Sequence, residues 1–298
     1  QRISCSQPYE PAVIQGMTIH PENPLLFDFI IDPGDSQLNG SAMQKEALRM
    51  VKYFLAAMTI PDREMWVNLS PDEPDRIVPE ALGQTVLGRD LLAQDYMLKQ
   101  ITSSLMFPEE ELGEAFWKRV YAEAYKRFGT TDVPMDTYNK VWIVPSKAAV
   151  YEEGDNVYIM NRQLKVMLAQ DYRKMRGVNS VRDSQAAEST SLEKASDPES
   201  QAMARKILKE IIIPELEREV NQRRHFANLR QIYNAMILAK WYKENLQQTL
   251  LGQVYADQNK VAGVHNHDPE IKNKIYAQYI TAFKKGVYDV IRQEYDPI

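Results

Sequence analysis

The chain has a single cysteine, Cys5, among its 298 residues. One thiol excludes an intrachain disulfide, and no C-x-x-C pair is present to hold zinc or exchange disulfides. Glycine-rich phosphate loops, the G-x-S-x-G nucleophile elbow and the H-E-x-x-H zinc helix are missing too. These absences remove the common signatures of nucleotide binding, serine hydrolysis and zinc catalysis.

A strong charge of either sign and a long apolar run are also lacking. The formal net charge is −5, which argues against a general nucleic-acid partner. No apolar run approaches the ~20 residues that span a bilayer, so no membrane span is expected. Hydrophobic residues nevertheless make up 44% of the chain, enough for a normal core without disulfides.

The first half of the chain mixes strand and helix signals. Residues 25–32 alternate between apolar and polar positions, which predicts a strand, and Pro33-Gly34-Asp35 then forms a turn. Helical spacing of leucines predicts helices at residues 41–58 and 85–106. Residues 140–168 read as β structure, with a hairpin turn at Gly154-Asp155. The pattern predicts an α+β part with a small antiparallel element.

A polar stretch at residues 175–200 divides the chain, because it lacks aromatic residues and apolar periodicity. Residues 1–174 are then an α+β part and residues 201–298 a helical part that packs back on it. Pro214 should kink or divide the first helix of the helical part. The fold class predicted for the whole chain is therefore helix-rich α+β.

The densest group of polar residues near an apolar stripe lies in the helix predicted after residue 85. Arg89, Asp90, Gln94 and Asp95 are the candidates for a pocket wall there. The alternative is that they satisfy neighbouring loop backbone, since buried polar groups need partners.

Acid–base hydrolysis would need two carboxylates roughly 5–10 Å apart. The candidates are Asp28, Asp90 and Asp95, with Arg89 as an anchor for substrate. Asp90 and Asp95 differ by about 140° around a helix, so they do not converge by themselves. Only tertiary folding could gather such a pair.

The loop at residues 257–268 resembles a calcium-binding loop at a distance. It has oxygen ligands at its first, third and twelfth positions, but an alanine stands where such loops need glycine. Two histidines could add imidazole ligands. The candidate metal ligands are Asp257, Asn259, His265, His267 and Asp268. An ordinary connection between helices is the alternative, and no cofactor other than a possible Ca²⁺ is predicted.

Several long strings resemble a family of exported bacterial proteins of uncharacterised activity. They include LLFDFIIDPGD, NKVWIVPSKAAVYE and LRQIYNAMILAKWYKENL. The resemblance implies an export signal upstream and a periplasmic, cell-surface or extracellular location, and the first residue, Gln1, agrees with trimming of the N-terminus. It also implies that the parent chain continues past Ile298. It carries no activity, cofactor or catalytic residue.

The sequence therefore favours a structural or interaction module of an exported bacterial protein, with a protein or glycan as the possible partner. The first alternative is an extracellular hydrolase acting on a polymer such as a glycan through paired carboxylates. The second is a cation-dependent binding domain. Whether the chain is an enzyme is left open by the residues, with the balance against it.

Overall fold

The computed structural model describes residues 8–20, 26–59, 67–68, 86–106, 111–131, 133, 141–168, 171 and 198–245. In these residues one antiparallel sheet of five strands packs with six α-helices, which confirms the α+β fold class. The strands are β1 Val13–Ile19, β2 Phe27–Asp32, β3 Val67–Asn68, β4 Val141–Glu153 and β5 Asn156–Leu168. The helices are α1 Gly40–Thr59, α2 Val86–Met106, α3 Glu111–Phe128, α4 Pro198–Ile207, α5 Ile213–Gln222 and α6 Ala227–Asn245.

The sheet has the strand order β2-β1-β5-β4-β3. The long β4–β5 hairpin forms its centre and turns at Gly154, whose φ of +60° suits glycine. The segments VWIVP and AAVYEE belong to one continuous β4, since an irregularity in register after Pro145 absorbs the proline.

The helix α6 lies at the centre of the packing, against α1 and β1. Its apolar side chains, with those of α1 and β1, form one core cluster. Phe27, Phe54 and Tyr242 meet edge to face in this cluster, with Phe27 centred 5.2 Å from Phe54 and 5.1 Å from Tyr242. The strand β1, its neighbour β2 and the helices α1 and α6 are thereby held as one body.

The kink predicted at Pro214 takes the form of a π-helical turn at Leu208–Ile212, which joins α4 to α5. A proline cannot donate the backbone hydrogen bond of a regular helix and crowds the preceding turn, so widening that turn accommodates it. The buried residues Leu208, Ile211 and Ile212 keep the widened turn packed in the core. The chain therefore continues from α4 into α5.

No helix in the described residues is both long enough and apolar enough to cross a membrane. The polar stretch at residues 175–200 lies outside the described residues except for its last three positions, which begin α4.

Candidate functional site

The sheet opens between β1 and β5. These strands pair at only three positions, where Gly16, Met17 and Thr18 face residues 156–158. The backbones of β1 and β5 approach so closely at Gly16 that a Cβ atom there would overlap the carbonyl oxygen of Val157. The side chain of Gln15 then donates to the carbonyl of Ile159. Beyond that point β1 and β5 no longer pair, and a gap separates β5 from the segment that leads into β1.

This gap contains a cavity of about 450 Å³, hereafter the fissure cavity. Its walls are residues 161–164 of β5, Glu10, one side of α5 and two residues of α6, Arg230 and Tyr233. A smaller cavity of about 230 Å³ shares Glu10, Asn161 and Arg162 with it. Arg162 donates to the Glu10 carboxylate at 2.5 Å, so this ion pair stands between the two cavities.

Side chains of α5 take the place of a strand neighbour along β5. The Asn221 amide accepts from Leu164 N at 2.9 Å and donates to Leu164 O at 2.8 Å. Glu217 accepts from Val166 N at 3.1 Å. Unpaired backbone groups at a buried strand edge are costly, and these bonds satisfy them. They also fix the α5 wall of the fissure cavity.

Arg230, on α6, is the most deeply buried charged residue that lines the fissure cavity, with 2% of its surface exposed. Its guanidinium donates to three carbonyl oxygens, at 2.8 Å to Val220 and Arg223 and at 2.5 Å to Tyr9. Burial lowers the pKa of Arg230 to about 10, while the neighbouring Glu10 opposes that change. The arginine is thus charged at neutral pH and ties the C-terminal end of α5 to the segment before β1.

Two buried amides of α6 continue this pattern along β1. Gln231 donates to Ala12 O at 2.7 Å and Asn234 donates to Ile14 O at 3.1 Å. The polar stripe of α6, Arg230, Gln231 and Asn234, therefore binds backbone carbonyls of the N-terminal segment. Sequence reasoning missed this stripe, because most of the residues around it on α6 are apolar. The signal was present as three polar residues within five positions of an otherwise apolar face.

A second buried polar cluster joins α3 to α5. Arg119 lies between Glu215 and Glu219, with its Nη2 donating to Glu219 and its Nε 3.5 Å from Glu215. Burial raises the pKa of Glu219, and the positive charge of Arg119 only partly offsets this effect. These carboxylates do not line the fissure cavity. The cluster is an interhelical ion-pair network, and Glu215 links it to Arg218, a residue of the cavity lining.

Three of the predicted site residues are described, and they lie apart from the fissure cavity. Asp28, on β2, contacts His20 Nε2 at 2.8 Å on the exposed edge of the sheet. Arg89 is exposed on α2, and Gln94 accepts from Asn228 at 2.7 Å. The side chains of Asp90 and Asp95 lie outside what the structure describes. Asp28, Arg89 and Gln94 therefore do not meet in either described cavity.

The predicted cation loop lies wholly outside the described residues, which end at 245. Binding of Ca²⁺ or a transition metal there stays a prediction. In the described part of the chain no three His, Cys, Asp or Glu side chains converge in a way that could hold a metal ion.

The chain was compared with protein families, curated proteins and solved structures. No protein-family model, curated protein or solved structure matches the chain.

Proposed function

We propose that the chain is a structural or interaction module that binds its partner or ligand at the fissure cavity. The observation that supports this is the commitment of the cavity's polar groups to fixed structural bonds. Asn221 is held by both backbone groups of Leu164, Glu217 by Val166 and Glu10 by Arg162. Groups fixed in this way are preorganised for recognition, which lowers the entropic cost of binding.

The size and position of the cavity fit a binding role. Its volume of about 450 Å³ falls in the range of small-molecule sites. It lies where a sheet opens and a helix crosses the gap, and its walls come from β5, α5, α6 and the segment before β1. A ligand in the cavity would contact four parts of the fold at once and would stabilise all of them together.

A hydrolase remains the second candidate, because two carboxylates, Glu10 and Glu217, line the same cavity. Hydrolysis of a glycan would require one of them to protonate the leaving group and the other to attack or activate water. Glu10 is held in an ion pair with Arg162 at 2.5 Å. Glu217 is therefore the carboxylate whose substitution tests this function.

An activity panel separates these two functions. The wild-type chain and a Glu217→Gln variant are incubated with soluble glycans, peptidoglycan and a protein substrate, and product release is measured. The interaction module predicts no turnover above buffer by either protein. Turnover by the wild type that Glu217→Gln abolishes would replace the binding function with hydrolysis.

Export from the cytoplasm is proposed as well, on the strength of the resemblance to exported bacterial proteins alone. Fractionation of the source cells with an antibody to this chain tests it. Recovery in the periplasmic, surface or medium fraction is expected, and recovery with a cytoplasmic marker enzyme would contradict it.

A further inference from the structure

Arg230 holds a buried positive charge in the wall of an open cavity without a hydrogen-bonded carboxylate in the described residues. Its three bonds all go to carbonyl oxygens. The nearby Glu10 carboxylate is bonded instead to Arg162. Buried charges in proteins are ordinarily paired, because an uncompensated charge is costly to desolvate. Glu10 acts on the charge of Arg230 at a distance, but no carboxylate of the described residues is bonded to the guanidinium.

The guanidinium of Arg230 has two donors that the described residues do not use. A guanidinium has five N–H groups. Three are used by Val220, Arg223 and Tyr9, which leaves the Nε–H and one N–H on Nη2. The Nε atom is buried and has no hydrogen-bond partner in the described part of the chain. Two remaining donors on one guanidinium are what a bidentate carboxylate needs.

The charges around the cavity favour a ligand with one negative charge. Two of the arginines that line it are already paired, Arg162 with Glu10 and Arg218 with Glu215. The charge of Arg230 is the positive charge of the lining that has no bonded carboxylate in the described residues. A monocarboxylate would neutralise it, whereas a phosphate dianion would leave a new uncompensated charge next to Glu10 and Glu217.

We propose that the fissure cavity binds a small organic monocarboxylate, with Arg230 as the anchor for its carboxylate group. The proposal rests on the proposed binding function and adds the chemical class of the ligand. Asn161 lines the same cavity and is exposed to solvent, so its side chain can contact the remainder of the ligand.

Arginine-labelled NMR of the full 298-residue chain tests the anchor directly. The protein is labelled with ¹⁵N arginine, and the Nε–H resonance of Arg230 is assigned by its disappearance in Arg230→Lys. Sodium lactate is titrated at constant ionic strength against sodium chloride. Lactamide serves as the uncharged match of lactate, and sodium phosphate as the competing anion.

A cavity variant keeps the test independent of folding defects at Arg230. Asn161→Trp places a bulky side chain at an exposed position that lines the cavity. Lys165→Trp makes the same change four residues along β5, at an exposed position outside the cavity lining. Both proteins are compared with wild type in the same titration.

The proposal expects a saturable shift of the Arg230 Nε–H with lactate, at a Kd of about 1 mM or tighter. Lactamide and chloride should produce no such shift. Asn161→Trp should weaken lactate binding at least tenfold, and Lys165→Trp should leave it within about twofold, or roughly 0.4 kcal/mol.

Three outcomes would overturn it. One is no saturation by lactate in the wild type, and another is equal loss of binding in both tryptophan variants. The third is phosphate binding at Arg230 without lactate binding, which would assign the cavity to a different anion. None of these readouts depends on turnover. If the wild-type protein hydrolysed a polymer, the interaction module would be refuted, but the lactate titration would still test the ligand of the cavity.

Discussion

The polar stripe of α6 and the α3–α5 ion-pair network bury polar groups in opposite ways. The stripe uses one arginine and two amides, and each donates to carbonyls of the main chain, while Gln231 also donates to the Glu46 carboxylate. The network uses charged side chains on both helices, Arg119 against Glu215 and Glu219. The stripe therefore fixes the position of the backbone, whereas the network balances one set of charges against another.

The difference has consequences for stability. Main-chain carbonyls do not titrate, so bonds to them keep their strength across the physiological pH range. The strength of the α3–α5 network depends on whether its buried carboxylates are ionised. Burial already raises the pKa of one of them, Glu219. We therefore expect the α6 stripe to determine the placement of β1 at any pH, and the network to contribute to stability in a pH-dependent way.

The largest expected effect is that of Arg230→Met. The substitution removes the donor for three carbonyl oxygens of Tyr9, Val220 and Arg223, and leaving buried acceptors unpaired should cost about 3 kcal/mol or more. Urea unfolding measures the loss. Lys240→Met is the matched control, an exposed cation on the same helix that should change stability by about 0.5 kcal/mol at most. Equal midpoints for the two variants would show that the stripe does not hold the backbone.

Arg119→Met is expected to cost less, about 2 kcal/mol at neutral pH, because it leaves two mostly buried carboxylates without the shared cation. The sign of the pH dependence follows from the raised pKa of Glu219. As pH falls, the folded state takes up a proton at Glu219 before the unfolded state does, so the cost in Arg119→Met should shrink. Unfolding at pH 7 and pH 5 measures this change. A cost that is the same at both pH values, or grows at low pH, would contradict the assignment.

Asn234→Ala should have the smallest effect of the three, about 1 kcal/mol, because it removes one neutral hydrogen bond to the Ile14 carbonyl. The cost should be equal at pH 7 and pH 5, since neither partner titrates in that range. The same urea experiment at both pH values gives the comparison with Arg119→Met. If Asn234→Ala became milder at low pH as well, the contrast between the stripe and the network would be lost.

Much of the secondary structure could be predicted from local pattern. The strand predicted at residues 25–32 is β2, which begins two residues later, and the hairpin turn at Gly154 lies where its turn residues predicted. The helix expected at residues 85–106 is α2, which begins one residue later. These elements depend on neighbours a few positions apart, which a sequence displays directly.

The candidate site was predicted much less well. The sequence pointed to the α2 helix, where Gln94 bonds Asn228 and Arg89 is exposed. The fissure cavity instead draws Glu10, Arg162 and Arg230 from segments far apart in the chain. No spacing rule relates such positions, because their approach depends on how the sheet opens between β1 and β5.

Periodicity and composition by themselves determined the α+β class, the separate helices and strands, and the exclusion of several motif-based chemistries. Only the tertiary structure decided that Gln231 would meet the carbonyl of Ala12, 219 positions away, and that Arg230 would line a cavity. The physical reason is that helix and strand patterns report which face of an element is apolar. The partners of a buried polar group are set by packing between elements, where geometry and not sequence distance selects them.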